Sequence, residues 1–142
     1  MMRIVALMLL LPALAPPALA QGSRDFPLDK PYTAISISGF DVQKMKMTLS
    51  IAKDAKGDGL RGAGHAGCNG WSATVILRDD QIDFTNIATT RKFCGKPVMT
   101  AEEAFVTSLK SARRWRLDGE RLIVEGDAAR LLMRADPASK KR

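Results

Sequence analysis

Apolar and polar residues alternate along several short stretches of the 142-residue chain. In the clearest stretch, Met47, Leu49 and Ile51 are separated by hydroxyl side chains. A period of two is typical of a strand with one buried face. The same alternation predicts strands at residues 32–37, 45–51, 71–77, 81–85, 87–90, 115–117, 122–125 and 131–134. Turn residues at 78–80 and 118–119 join two pairs of these strands into hairpins.

Glycines recur between Gly57 and Gly70, where two overlapping segments have the spacing of a dinucleotide-binding loop. Such a loop must join a strand to a helix, because the helix N-terminus receives the pyrophosphate. The residues that follow, 71–77, have the pattern of a strand instead. We therefore interpret the glycine-rich stretch as a strand that bends sharply or lets another segment approach closely, and we expect no cofactor.

The pattern changes to a helical period at Thr100. Thr100 and Glu103 have the spacing of a capping box, in which a hydroxyl and a carboxylate bind free backbone N–H groups at a helix N-terminus. Phe105 and Leu109 then fall on one face of the helix. One helix among many short strands predicts a mainly β (α+β) domain with one packed α-helix.

Residues 1–20 have the pattern of a secretory signal peptide. Arg3 precedes an apolar run at 4–14, and Ala18-Leu19-Ala20 is a small-x-small cleavage site. A retained anchor is the alternative, but the run is shorter than the roughly 20 residues that a membrane span needs. We expect cleavage after Ala20 and a soluble periplasmic product. The remaining chain divides into a flexible lead-in at 21–31, one domain at 32–134 and a basic disordered tail at 135–142.

The formal net charge of the chain is +7. A basic balance favours anionic neighbours, so an anionic surface is one expected partner. An envelope protein is the other. We expect a monomer that does not span the membrane after signal cleavage, and no nucleic-acid partner, because an exported protein does not meet nucleic acid in the cytoplasm.

Basic residues flank an aromatic one at Arg113-Arg114-Trp115-Arg116, an arrangement that could bind a polyanion. Alternation gives a simpler interpretation, in which Trp115 packs inward and the arginines face solvent. The acidic pairs Asp79-Asp80 and Glu102-Glu103 occupy a predicted turn and a predicted helix start. They do not indicate glycosidase-type chemistry, which needs two carboxylates facing each other across a cleft.

Cys68 and Cys94 are the only cysteines of the chain. An oxidising compartment favours a structural disulfide between them, which would close a loop of about 25 residues and stabilise the fold by roughly 3.5 kcal/mol. Reduced structural cysteines, or a reactive thiol with His65 as its base, are the alternatives. On a strand, His65 and Cys68 would point to opposite faces. His65, Cys68 and Cys94 could together offer a metal ion three ligands, whereas a structural zinc site normally uses about four. No catalytic, cofactor-binding or metal-binding residue is therefore predicted.

Three short motifs follow one another along the chain. They are Gly67-Cys68-Asn69, Thr89-Thr90-Arg91 before Cys94, and Glu103-Ala104-Phe105 with Leu109 in the helix. Together they resemble the META domain family of HslJ-like heat-shock and envelope proteins, over about residues 32–134. The resemblance implies a curved, barrel-like antiparallel sheet with one packed helix. It also implies roles in envelope stress, drug tolerance and secretion, without an established catalytic activity.

The first functional interpretation is therefore a non-catalytic exported protein that supports envelope integrity or stress and drug tolerance through protein or surface contacts. The alternative is a small-ligand or peptide-binding module that uses the mouth of the curved sheet. The third is an enzyme with Cys68 as its nucleophile. An accessible apolar pocket would favour the second interpretation, and a free exposed thiol would favour the third.

Overall fold

The computed structural model describes residues 25–137. The predicted signal peptide and residues 138–142 of the predicted tail lie outside the described residues. The elements are β1 Tyr32–Ile37, β2 Phe40–Asp41, a 3-10 helix Gln43–Met45, β3 Thr48–Lys53, β4 Leu60–His65, β5 Gly70–Arg78, β6 Gln81–Thr89, α1 Lys96–Ser111, β7 Ala112–Asp118, β8 Arg121–Gly126 and β9 Arg130–Ala135. No helix in this part of the chain is long and apolar enough to cross a membrane.

Eight of the strands form a closed antiparallel barrel. Neighbours in the barrel follow the order β1–β3–β4–β5–β6–β7–β8–β9, and β9 pairs with β1 to close it. The short strand β2 pairs with the end of β1 and lies outside this ring. Closure gives every strand of the ring two neighbours, although β6 and β7 pair only at Gln81 and Arg114. The predicted mainly β fold, with a barrel-like antiparallel sheet and one helix, is confirmed.

The alternation of each strand places one set of side chains inside the barrel. The buried side chains of the core include Tyr32, Ala34, Leu49, Ile51, Trp71, Ala73, Val75, Ile82, Phe84, Trp115, Leu122, Val124, Leu131 and Met133. Trp71 links the sheet to the helix, because its ring makes edge contacts with Phe84 at 6.1 Å and with Phe105 of α1 at 6.0 Å between centroids. Side chains are expected to fill an eight-stranded barrel, and here they form its core.

The glycine-rich strand β4 lies where larger residues do not fit. A Cβ atom at Gly62 would lie 3.0 Å from the side chain of Val75, inside the barrel. A Cβ atom at Gly64 would overlap the backbone carbonyl of Thr48, which β3 brings alongside. The interpretation of this stretch as a strand that allows a close approach is therefore confirmed.

The helix α1 begins at Lys96, one turn before the predicted start. Gly95 is its N-cap residue, and Pro97 lies in the first turn, where its fixed φ suits a helix and its missing N–H leaves no bond unmade. Thr100 lies inside the helix, and its hydroxyl donates a hydrogen bond to the carbonyl oxygen of Lys96, 3.0 Å away. The predicted capping box of Thr100 and Glu103 is wrong. The backbone N–H groups that lack a partner within the helix belong to its first turn, which begins at Lys96 and precedes Thr100.

The segment before β1 packs against one end of the barrel. Phe26 is buried, and its ring lies 5.0 Å from Trp115 and 6.5 Å from Tyr32 between centroids. The backbone N–H of Asp29 donates a hydrogen bond to the carbonyl oxygen of Ile51 on β3, at 2.8 Å. The predicted flexible lead-in is therefore wrong over its described part, because an aromatic side chain anchors it to the core.

The folded domain also extends past its predicted C-terminal boundary. Ala135 belongs to β9 and is buried. Asp136 accepts a hydrogen bond from the hydroxyl of Thr33, at 2.5 Å. The predicted disordered tail thus begins too early at residue 135, because β9 runs to Ala135 and Asp136 still contacts β1.

Candidate functional site

The two ends of the barrel are closed in different ways. At one end, which we call the helix end, α1 connects β6 to β7 and packs against the barrel. At the other end, which we call the lead-in end, residues 25–31 pack beside Trp115 and Tyr32. The cysteines and the motif residues around them lie at the helix end.

Cys68 and Cys94 form a disulfide bond, with their Cα atoms 5.7 Å apart. The bond joins the β4–β5 turn to the segment between β6 and α1. The described residues contain no free cysteine. His65 has no thiol to activate, because both cysteines are in the disulfide, and its Nδ1 accepts a hydrogen bond from the backbone N–H of Gly67, at 3.3 Å. The structure therefore contains the predicted pairing of the two cysteines.

Glu102 is a buried carboxylate on α1, with 7 % of its surface exposed. Its Oε2 accepts hydrogen bonds from the backbone N–H groups of Cys68, at 3.0 Å, and Asn69, at 2.7 Å. Its Oε1 accepts a third hydrogen bond from the side-chain Nδ2 of Asn69, at 2.6 Å. One helical side chain thus fixes the β4–β5 turn to α1, directly beside the disulfide.

Asn69 connects the same turn to the chain that leaves β6. Its Oδ1 accepts hydrogen bonds from the hydroxyl of Thr90, at 2.8 Å, and the backbone N–H of Lys92, at 2.6 Å. Its Nδ2 also donates to the carbonyl oxygen of Lys92, at 3.1 Å. Thr90 Oγ1 in turn accepts a hydrogen bond from the backbone N–H of Gly70. Both donors and both acceptor positions of the Asn69 amide are therefore used.

The hydrogen bonds of Glu102 decide its charge state. Burial acts to raise the pKa of this carboxyl group, because a charged group loses its hydration. The hydrogen bonds from the side chain and backbone of Asn69 and from the backbone of Cys68, together with nearby His65, outweigh burial and lower the pKa below its ordinary value. Glu102 is therefore ionised at neutral pH, and its bonds to the turn are charge-assisted.

The sequence pattern places Glu102 in a predicted helix start and gives it no role. A signal for its burial was available, because Glu102 lies three residues before Phe105 and seven before Leu109, on the apolar face of the helix. An acidic residue at such a position needs partners, and the turn at Cys68 and Asn69 provides them. Its neighbour Glu103 is exposed.

The predicted motif residues divide into two groups. The residues that meet at the helix end are Gly67, Cys68, Asn69, Thr90 and Cys94. Gly67 has a φ of +111°, a backbone conformation that favours glycine, where the chain turns out of β4 toward Cys68. Thr89 and Arg91 are exposed on either side of Thr90, and neither side chain makes a hydrogen bond to another described residue.

The polar groups of the helix end are used to hold three chain segments together. The carboxylate of Glu102 and the amide of Asn69 are occupied by hydrogen bonds, and both sulfur atoms are bonded. Over residues 25–137, no group of three His, Cys, Asp or Glu side chains is placed to hold a metal ion. What this arrangement does chemically is to fix α1 and the segment after β6 on the barrel.

A largely apolar groove of about 640 Å³ lies between α1 and the β1–β2 hairpin. Its lining residues include Ile37, Phe40, Val42, Met45, Pro97, Thr100, Ala101, Glu103, Ala104 and Ala129. Phe40 is 78 % exposed. This volume is of the size that small ligands occupy. The groove lies beside the helix rather than inside the barrel mouth, where the alternative interpretation had placed a ligand.

Comparison with known proteins gives a family and a fold. The model of the META domain family matches residues 26–138, a range that begins at the buried Phe26. An NMR structure of a protein from Burkholderia xenovorans shares the fold with a TM-score of 0.61 and 16 % identity, and covers 77 % of this chain and 83 % of that one. A second NMR structure has a TM-score of 0.59 and 19 % identity, with coverage of 74 % and 87 %. None of the curated proteins compared with the chain matches it.

Proposed function

Because the chain belongs to the META domain family, we propose that it is a non-catalytic exported protein of the periplasm. In this proposal it supports envelope integrity or tolerance of stress and drugs through contacts with an envelope protein or an anionic surface. The barrel and its helix serve as a rigid body, and its outer surface makes the contacts.

One observation carries this proposal. Two buried polar residues lie beside the disulfide, Glu102 and Asn69. Their side chains form hydrogen bonds with one another and with the backbone. A nucleophile or general base needs an atom within hydrogen-bond reach of a substrate. Glu102, Asn69 and the two cysteines are instead engaged in fixing the helix end, which favours a structural role for them.

Export is supported by two further features. The N-terminal sequence has the pattern of a signal peptide. The Cys68–Cys94 disulfide is typical of proteins that fold in an oxidising compartment. Mass spectrometry of the exported protein should show Gln21 as its first residue and no free thiol. An intact Met1, or a product retained in the cytoplasm with two free thiols, contradicts the proposal.

The non-catalytic role can be tested in cells that lack the protein. Wild-type protein should restore tolerance to envelope stress, and crosslinking should then capture its partner from the envelope fraction. A variant with Cys68→Ser and Cys94→Ser should restore tolerance in proportion to the amount of folded protein that accumulates. A variant that accumulates and melts like a stable protein, yet restores nothing, would favour the cysteine-dependent enzyme.

A ligand- or peptide-binding module is a second candidate, and the groove beside α1 favours it. Thr107→Trp would fill this groove with a large side chain from an exposed position of the helix. If the groove binds a ligand or peptide, this variant should lose stress tolerance while the protein still accumulates. The matched substitution Lys110→Trp, on the same helix but away from the groove lining, should have no such effect.

A further inference from the structure

The outer face of β7, β8 and β9 carries three arginines that define one surface. Trp115, Leu122 and Met133 are buried in the barrel. Side chains alternate between the two faces of a strand, so the adjacent residues Arg116, Arg121 and Arg134 point outward, and all three are exposed. We call Arg116, Arg121 and Arg134 the arginine row.

The strand register brings the arginine row together. Arg121 stands directly opposite Arg134 in the β8–β9 pair. Arg116 stands opposite Ile123, which lies two residues from Arg121 on β8. Directly opposed residues have Cβ atoms about 5 Å apart, and diagonal neighbours about 7–8 Å. Three long cationic side chains thus emerge close together from one patch of the sheet.

Other arginines nearby have carboxylate partners within the chain. Arg114 pairs with Asp80 at 2.8 Å, and Arg130 pairs with Glu125 at 3.3 Å. Among residues 25–137, the arginine row makes no ion pair. Asp118 stands opposite Arg121 beside the β7–β8 turn, but it is not within ion-pair distance. The charges of the row are therefore left for a group outside the described chain.

Two members of the row repel each other across the β8–β9 pair. Like charges directly opposite each other on neighbouring strands are destabilising, and Arg121 and Arg134 form such a pair. The nearby carboxylate of Asp136 does not neutralise them, because it forms no ion pair with the row and accepts a hydrogen bond from the hydroxyl of Thr33 instead. Both arginines are exposed, so packing of the core does not require them. An external anion would offset this repulsion.

We propose that the arginine row binds the phosphate groups of an anionic lipid surface. A planar guanidinium group binds phosphate with two parallel hydrogen bonds. Ile123, which stands opposite Leu132 between the arginines, is buried, so this surface presents charge rather than apolar area and would contact lipid headgroups rather than acyl chains. The inference rests on the proposed surface-contact function and names the surface.

Nucleic acid is the competing anionic partner. Proteins that bind single strands stack bases on exposed aromatic side chains. Among the described residues, the exposed aromatic side chains are Phe40 and Phe93, and both lie outside β7, β8 and β9. The arginine row also lies on the convex outer side of the barrel, a shape that suits contact with an extended surface. These features favour a lipid surface.

The test compares binding of the exported protein to two kinds of vesicle, pure phosphatidylcholine and phosphatidylcholine mixed with phosphatidylglycerol. Wild-type protein should sediment with the mixed vesicles only. Each arginine near an anionic surface contributes about fivefold to binding, so a triple variant with Arg116→Gln, Arg121→Gln and Arg134→Gln should bind about a hundredfold more weakly. Its melting temperature should change little, because the three side chains are exposed and the substitutions remove both the repulsion between Arg121 and Arg134 and the attraction of Arg121 to Asp118.

A matched triple variant separates the row from net charge. Lys44, Lys53 and Lys56 are exposed residues outside β7, β8 and β9, and replacing them with Gln removes the same three charges. This control should keep most of the affinity. Equal losses in both triple variants, or wild-type affinity in the row variant, would overturn the proposal. Binding of wild-type protein to a DNA oligonucleotide but not to the mixed vesicles would overturn it in favour of nucleic acid.

The vesicle test and the test of export have separate outcomes. A protein that binds mixed vesicles through the arginine row but remains in the cytoplasm keeps this inference and contradicts the proposed periplasmic function. A protein that is exported and restores stress tolerance equally well with the triple Gln substitutions keeps the proposed function. If such a protein, in its wild-type form, does not bind the mixed vesicles, this result contradicts the lipid surface alone.

Discussion

At the helix end, a covalent bond and a buried carboxylate hold α1 and two loops on the barrel. At the lead-in end, the ring of Phe26 packs against Trp115 and Tyr32, and few polar contacts accompany it. The indole N–H of Trp115 donates to the carbonyl oxygen of Asp79, at 3.0 Å. Both ends exclude water from the same core, but one does so mainly with directional bonds and the other mainly with apolar surface.

This difference explains why the recognisable motifs of the chain lie at one end. Hydrogen bonds depend on distance and angle, so a network such as that of Glu102 and Asn69 requires those residue types at fixed positions. The hydrophobic effect is not directional and depends on the area buried. Several side chains could fill the place of Phe26, and a short motif is not needed there.

The buried titratable group is held neutral at one end of the barrel and ionised at the other. At the lead-in end, burial raises the pKa of Tyr32, and the carboxylate of Glu120 raises it further, so the neutral phenol is favoured. At the helix end, hydrogen bonds hold Glu102 ionised. Acid should therefore weaken the helix end first.

The largest expected effect is removal of the disulfide. The double variant Cys68→Ala, Cys94→Ala should lose about 3.5 kcal/mol of unfolding free energy, because the denatured chain gains the freedom of the opened loop. Denaturant titration of wild type and variant measures this difference. The far-ultraviolet sheet signal should persist at low denaturant. A loss below about 1 kcal/mol would show that Glu102 and Asn69 hold the helix end without the covalent bond.

The next largest effect concerns Glu102. Glu102→Ala should cost about 2–3 kcal/mol, because it leaves the N–H groups of Cys68 and Asn69 buried without an acceptor. The matched control is Glu103→Ala on the same helix, which removes an exposed carboxylate and should change stability by less than about 0.5 kcal/mol. Chemical denaturation of both variants gives the comparison. Equal losses would contradict the assignment of Glu102 as the residue that fixes the turn.

A smaller effect is expected at the lead-in end. Phe26→Ala should cost about 2 kcal/mol, the value for exposing one aromatic side chain, since the site opens to solvent rather than leaving a closed cavity. Phe26→Leu should recover much of this loss, because apolar area rather than direction is what the site needs. If Phe26→Leu is as unstable as Phe26→Ala, the ring contacts with Trp115 and Tyr32 matter more than the area.

The pH dependence of stability sharpens the comparison further. The folded-state pKa of Glu102 is lowered, so its contribution is fully present above the unfolded value of about 4.3 and is lost as pH falls through the folded value. Wild-type protein should therefore lose more stability on acidification than Glu102→Gln, which has no proton to take up at this site. Glu103→Gln should lose as much stability on acidification as wild-type protein does. Parallel acid profiles for wild type and Glu102→Gln would contradict the ionised state.

The smallest effect is expected at Thr100. Because Thr100 lies inside α1 rather than at its N-cap, Thr100→Ala should change stability by no more than about 0.5 kcal/mol, and in the stabilising direction, since alanine favours a helix. A true N-cap residue would cost about 1 kcal/mol instead. Thermal melts of this variant decide between the two helix starts.

The sequence predicted the strands well, because alternation along a strand is a local property. The pattern through Met47, Leu49 and Ile51 places the same side chains in the barrel that the structure buries there. The turn of 78–80 and the inward direction of Trp115 also follow from this pattern. Glycine at position 64 was interpretable as a close approach, but the segment it meets, Thr48, is defined only by strand pairing.

The start of the helix and the roles of its two glutamates depended on the tertiary structure. Thr100 and Glu103 match a capping box locally, yet Gly95 and Pro97 begin the helix one turn earlier. Glu102 is buried because the β4–β5 turn is brought onto α1 and supplies three hydrogen-bond donors. A pattern along one segment does not contain the donors that another segment provides.

The same limit applies to the arginines and to the lead-in. Sequence alternation alone placed Arg116 on the outside of the barrel, but strand register set it near Arg121 and Arg134. Which arginines form ion pairs depends on carboxylates from other segments, as Asp80 does for Arg114. Phe26 looked like part of a polar lead-in, because its partners Tyr32 and Trp115 come from two strands that barrel closure brings to one end. Local periodicity therefore determined which face each residue takes, whereas contacts between distant segments determined what that face meets.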